Sequence, residues 1–199
     1  MRAAEQLFLQ RGYHAVSITD IITAAGVTKP TLYYHYADKA ELFVHMALQM
    51  LRRIHAAIDV ALADETRLDR QLEALTKALW RTSSGDTRMM RRELQTHLSM
   101  EHQQQVAAAF QQHMLAPITQ VMQDALDRRE LVRHSAPELA LLFLGLVEAF
   151  QPTEAAVHTA ADATSSSVSF VTAKSVVDLF LHGVDRRGRR KPTNKTRRT

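Results

Sequence analysis

Three tyrosines, two threonines, two lysines and a histidine crowd into the stretch GVTKPTLYYHYADK, from Gly26 to Lys39. At helical spacing Leu32 and Tyr36 fall four apart and face inward, whereas Thr31, Tyr34 and His35 fall outside, flanked by Lys29 and Tyr33. Hydrogen-bonding, mostly uncharged tips on one short face suit base edges and phosphate oxygens better than a plain solvated surface. Lys39 opens the next helix, where its ammonium and the first helical amides could hold one phosphate together. On spacing alone a second reading stands beside this one: a small helical subdomain whose tyrosines cap a core.

Such a face needs elements to present it. Ser17 precedes the apolar run Ile18, Ile21, Ile22 and can cap that helix; Thr28 can cap the next, with Pro30 in its first turn, where the missing N–H costs little. Ala25-Gly26-Val27 between the caps is a tight turn that lets one short helix cross another, the spacing of a helix-turn-helix over residues 17–36. Ahead of it Ala4, Leu7 and Phe8 repeat at helical spacing until Gly12 stops them. After it a longer helix runs from Ala37 to about Ala63, with Leu42, Phe43, Met46, Met50, Ile54 and Ile58 on its apolar side.

The stretch AAEQLFLQRGYHAVSITDIITAAGVTKPTLYYHYADKAELF, residues 3 to 43, resembles the N-terminal signature of the TetR family of bacterial transcriptional regulators. The likeness lies in the helix ending at Gly12-Tyr13, the Ser17 cap, Ile21, the Ala25-Gly26-Val27 turn, and Leu32-Tyr33-Tyr34-His35-Tyr36 before Lys39. The resemblance implies a homodimer in which Ser17, Thr19, Thr28, Lys29, Pro30, Thr31, Tyr33, Tyr34, His35 and Lys39 face operator DNA. It covers about the first quarter of the chain in motif and the rest in helical layout. Two departures stand out: the chain begins inside the first helix, where members usually carry a basic segment ahead of it, and position 30 is proline where glycine or alanine is also common. Proline there stiffens the start of the reading helix without removing its contacts.

The resemblance also implies that the larger region binds a small effector and forms the dimer interface. Its pattern predicts helices at about 67–83, 87–102, 104–130, 136–151 and 168–184, a break at Ser84-Gly85-Asp86, a kink or split at Pro117, and a loop between Gln151 and Ser167. In PELALLFLGLVEAFQ, Leu139, Leu142, Phe143, Leu146 and Phe150 make one stripe and Leu141, Leu144 and Val147 another. A helix apolar on nearly every side must be buried on nearly every side. With Val176, Val177, Leu179, Phe180 and Leu181 on the last helix, it could build a four-helix, two-fold interface, for which Leu139, Leu142, Leu146, Phe150, Val176 and Phe180 are the candidates. For the effector pocket the candidates are Trp80, Met90, His97, Met100, Phe110, Met114 and Phe143, since methionines and aromatics line adaptable apolar cavities. Glu148, inside an apolar helix, is a paired interface carboxylate or a recognition group for a cationic or hydroxylated ligand.

Charge is partitioned along the chain. Residues 1–60 carry +1, residues 61–185 carry −5 and residues 186–199 carry +8, so the sequence pI of 9.6 comes from the basic tail. That tail has no apolar residue with which to enter a core. No cysteine is present, which removes disulfides and thiol nucleophiles and suits a reducing cytoplasm. No apolar run is long enough to span a membrane. Enzyme readings lack their parts: no G-x-S-x-G elbow and no glycine-rich phosphate loop. His97, Glu101 and His102 do not have the spacing of a zinc helix.

The expected protein is therefore all-α, with a helix-turn-helix domain over 1–44, an effector and dimerisation domain over 45–185 and a disordered tail over 186–199. It is expected to be a cytoplasmic, homodimeric regulator that binds double-stranded operator DNA and uses no cofactor and no metal. A small, largely apolar effector would release it as a repressor. Its rivals are a regulator controlled by a protein partner and a helical-bundle metal protein.

Overall fold

The computed structural model describes residues 1–82, 87–131, 134–152 and 171–184, side chains at 87–91 and 183–184 excepted. The expected break at Ser84-Gly85-Asp86, nearly all of the loop after Gln151 and the basic tail lie outside the described residues.

Three helices build the N-terminal unit: α1 (Arg2–Ala15), α2 (Ile18–Ala25) and α3 (Lys29–His35). Gly12 sits inside α1 at φ 78°, ψ 164°, a conformation essentially reserved for glycine, and turns the chain toward α2. Ser17 and Asp20 close a reciprocal capping box: the Asp20 amide donates to Ser17 Oγ at 3.1 Å and the Ser17 amide to Asp20 Oδ2 at 2.8 Å. Gly26 ends α2 in the left-handed region at φ 64°, and Val27 N–H reaches back to Ile22 O at 3.1 Å. Thr28 then caps α3, and Asp38 caps the helix after it.

That next helix, α4 (Lys39–Leu62), is the spine of the molecule. Its side chains Phe43, Met46, Ile54 and Ile58 are almost fully buried, at roughly 1.5–3 kcal/mol of transfer free energy each. One continuous core runs from Ala4 and Phe8 through α4 to Phe143 and Phe180, so the N-terminal unit and the larger half share apolar packing.

The larger half is α5 (Leu68–Thr82), α6 (Thr87–His97), α7 (Met100–Phe110), a π-helical turn (Gln111–Leu115), α8 (Ala116–Asp127), α9 (Ala136–Ala149) and α10 (Ala173–Val184). Two expected helices divide. The one over 87–102 breaks at Leu98-Ser99, where Ser99 Oγ accepts from the His102 amide and starts α7. The one over 104–130 divides at the π turn just before Pro117. Proline has no N–H for the carbonyl four residues back, His113 O. That carbonyl instead lies 3.1 Å from His55 Nδ1 of α4, so the disruption becomes a tie between two helices.

Candidate nucleic-acid interface and effector cavity

On α3, Leu32 is buried and Tyr36, at its C-cap, is half-buried, while Thr28, Lys29, Pro30, Thr31, Tyr33, Tyr34 and His35 are exposed. Tyr34 is 86% exposed, beside the exposed Tyr33, so both phenols are presented to solvent on one short helix. The Tyr34 ring meets His35 edge-on at 5.1 Å, and the Lys29 ammonium lies 5.8 Å from the Tyr33 ring centre. Thr28 and Thr31 share a hydroxyl hydrogen bond of 2.9 Å, which fixes both tips at the start of the helix. Ser17 and Thr19 are exposed on α2, and the Ser17 hydroxyl donates to Asp20 at 2.7 Å. Those hydrogen bonds from Ser17 hold the Asp20 carboxyl below its ordinary pKa. The result is a solvent-facing row of hydroxyl, imidazole and ammonium donors on a capped, stiff helix.

Lys39 departs from the expected phosphate contact. Its ammonium turns inward, donating to Tyr13 O at 2.8 Å and Val16 O at 2.9 Å, and sits 4.2 Å from the Tyr13 ring centre. Burial pushes its pKa down, and the Glu93 carboxylate opposes that shift. In this position Lys39 ties the corner between α1 and α2 to the start of α4.

Glu93 and His97 reach the same corner from α6. His97 stacks on Tyr13 at 5.7 Å and on His14 at 5.4 Å, and its Nε2 is 3.4 Å from Glu93. Burial, followed by the Asp38 charge, raises the Tyr13 pKa. His97 was expected in the effector pocket; its aromatic partners on α1 draw it to the other side of α6. Glu101 and His102 belong to α7, and no group of three His, Asp or Glu side chains among the described residues could hold a metal ion.

A cavity of about 610 Å³ lies inside the larger half, within the ~300–1,000 Å³ typical of small-molecule sites. Its floor is apolar: Ala47, Met50 and Leu51 from α4, Leu79 from α5, Val106 from α7 and Met114 from the π turn, all buried. Trp80, Met100, Phe110 and Met114, four of the expected pocket residues, line it. Trp80 is fixed there because its Nε1 donates to Val147 O of α9 at 2.9 Å. Phe143 does not line it; fully buried, it meets Phe180 edge-on at 5.4 Å in the packing between α9 and α10. The Met90 side chain lies outside the described residues. The polar part of the lining, Gln95, Gln103, Gln104, Gln111, Glu148 and Gln151, escaped the sequence reading apart from Glu148. Its signal was present: Met100, Gln104, Ala107 and Gln111 recur at helical spacing on one face.

The expected interface residues separate by burial. Leu139, Val176 and Phe180 are spent within the chain's own core, at 0%, 0% and 3% exposure, because α9 and α10 pack on each other and on α5 and α8. Leu146 and Phe150 are half-buried, while Leu142 is half exposed beside Leu141 and Gly145 on the outer face of α9. Leu179 is exposed on the outer face of α10.

Residues 1–46 match the family model described as bacterial regulatory proteins, tetR family. Among curated relatives, the transcriptional activator FasR of Mycolicibacterium smegmatis is 33% identical over 78 residues, which is 39% of this chain and 36% of FasR. The regulator TtgR of Pseudomonas putida is 36% identical over 69 residues, 35% of this chain and 32% of TtgR. The match thus spans about a third of those relatives' length, and both are named as transcriptional regulators. Over the whole fold, the regulator FadR of Bacillus subtilis, solved with stearoyl-CoA, superposes with a TM-score of 0.71 at 15% identity, covering 92% of this chain and 96% of FadR. No helix among the described residues is long and apolar enough to cross a membrane. The N-terminal signature, the named relatives and the all-helical architecture agree with one another: residues 1–46 carry the regulatory-protein signature of the TetR family, and the whole chain has the fold seen in its solved neighbours.

Proposed function

We propose that this chain is a homodimeric DNA-binding transcriptional regulator, a repressor that a small, largely apolar ligand releases from its operator. The observation that carries the reading is the dual service of α4: it begins at the corner that positions α2 and α3, and it supplies Ala47, Met50 and Leu51 to the cavity floor.

In this reading α3 enters the major groove. Thr31, Tyr34 and His35 meet base edges, while Lys29, Tyr33 and the caps of α2 and α3 meet phosphates. Lys39 braces the corner from behind. The outer face of α9 and α10, with Leu141, Leu142 and Leu179, packs on a second copy, so that two reading helices reach half-sites one turn apart, about 34–36 Å.

Ligand entry is felt along two routes. One is α4 itself, tied to the π turn at the cavity wall through His55 and His113. The other is α6, whose Leu94 and Gln95 face the cavity while His97, paired with Glu93, stacks on Tyr13 and His14 of α1. A ligand that spreads these walls tilts α4 and α6 together and shifts the spacing of the reading helices.

The test is selection of duplexes from a random pool by the purified protein. A pseudo-palindrome with half-sites about one helical turn apart is expected. Enrichment of no sequence would remove the DNA-reading role.

A further inference from the structure

The helix-turn-helix is short of the side chains that read bases through paired hydrogen bonds. Arginine or lysine reads guanine in that way, asparagine or glutamine reads adenine, and a carboxylate accepts from cytosine. From Ser17 to Tyr36 the chain has no arginine, asparagine, glutamine or glutamate. Asp20 is spent on the capping box, where its carboxylate accepts from the Ser17 amide and hydroxyl. Lys29 remains, with its ammonium 5.8 Å from the centre of the Tyr33 ring. What the unit does present is apolar surface: Val27, Tyr33 and Tyr34 are all exposed within eight residues, with exposed Pro30 and Thr31 between them. The Tyr34 ring is also held from behind. It meets His35 edge-on at 5.1 Å, His35 meets Tyr36 at 6.2 Å and Tyr36 meets His45 at 5.3 Å, a run of rings that leads back to α4. Thr31 shares its hydroxyl with Thr28 at 2.9 Å, and its methyl adds to the same surface.

Among the base edges of the major groove one group is apolar, the C5-methyl of thymine. We propose, building on the DNA-reading role, that the protein reads its operator through thymine methyls packed against the Tyr34 ring and Thr31, with Tyr34 as the principal specificity residue and guanine contacts secondary. A methyl leaving water against a ring that is already positioned gains the transfer free energy of its area, and little ordering opposes that gain. The Tyr34 hydroxyl at the far edge of the ring stays free to meet a phosphate or a base oxygen.

The probe is the duplex selected by the full-length protein, resynthesised with deoxyuridine in place of thymidine at one position at a time. That exchange removes the C5-methyl and keeps the O4 acceptor and the base pairing. At one or two positions in each half-site it is expected to weaken binding by about fourfold, the effect of one buried methyl-sized group. Tyr34→Phe, which keeps the ring, should preserve the penalty, whereas Tyr34→Ala should cut it to below about 1.5-fold. Replacing guanine by 7-deazaguanine, which removes the N7 acceptor, should cost less than the uracil exchange. Unchanged affinity with every thymine replaced would overturn the inference and leave the DNA-reading role in place. A uracil penalty that survives Tyr34→Ala, or a larger penalty at 7-deazaguanine, would do the same. Failure to enrich any sequence would overturn both.

Discussion

Ser17, Thr28 and Asp38 each cap a helix with a partner three residues on, whereas Trp80 and His55 bond carbonyls of helices remote in the chain. The helices of the reading unit are thus set by local bonds that form wherever their sequence is placed, with Lys39 as the remote tie at the corner of α1 and α2. The effector half is held by ties that exist only when α4, α5, α9 and the π turn are mutually in place. Local bonds make α3 a stiff, unchanging reader. Remote ties make the cavity walls depend on one another, so that a ligand set between them acts on several helices at once.

The sharpest break in that comparison is Phe143→Ala. Phe143 is fully buried against Phe180, so about 3–5 kcal/mol of stability should go, read as a fall in the denaturation midpoint. Tyr34→Ala should do the opposite: stability within about 0.5 kcal/mol of wild type, because the ring is 86% exposed, and a loss of ~1–3 kcal/mol in binding to a selected duplex, with altered base preference. If Tyr34→Ala destabilises the fold and keeps duplex affinity, the two regions do not divide as described.

Gly26→Ala tests the turn between α2 and α3. No atom lies within 4 Å of a Cβ built at Gly26, so the cost is the left-handed φ of 64° alone, about 1–2 kcal/mol. Lys39→Ala follows at about 1 kcal/mol of stability for the lost bonds to Tyr13 O and Val16 O. As a brace, its loss should leave the salt dependence of duplex binding unchanged; a slope lower by about one would return Lys39 to the phosphate role.

The capping box of α2 gives the smallest effect. Ser17 holds the Asp20 carboxyl below its unfolded pKa, so its contribution is complete above about pH 4, the unfolded value, and is lost as pH falls through the folded one. Ser17→Ala should cost about 1 kcal/mol at neutral pH and return the Asp20 titration, followed by NMR, to the ordinary range.

Locality also decides what could be read before any fold was known. The caps Ser17 and Thr28, the Gly26 turn and the inward Leu32 are all determined within four residues, and a single sequence displays them. Whether Leu139 or Leu142 meets solvent, or whether His97 faces a cavity or Tyr13, depends on which neighbour occupies each side of a helix that is apolar almost all round. Periodicity carries no information about that choice. The glutamine lining was missed for the same reason, since amides at helical spacing read as an ordinary wet face until α4, α5 and α9 close a cavity behind them.

The central claim is that cavity and reading helix are coupled through α4 and α6. Titrating a small apolar ligand found by thermal-shift screening against the free protein and against its complex with a selected duplex tests it most directly, with the fluorescence of Trp80, which lines the cavity, as the readout. Coupling is reciprocal, so a ligand that weakens duplex binding must bind the complex more weakly by the same factor, expected at roughly 5–150-fold. Tight, equal affinity for both forms would contradict the account, leaving a cavity that binds its ligand without any effect on DNA.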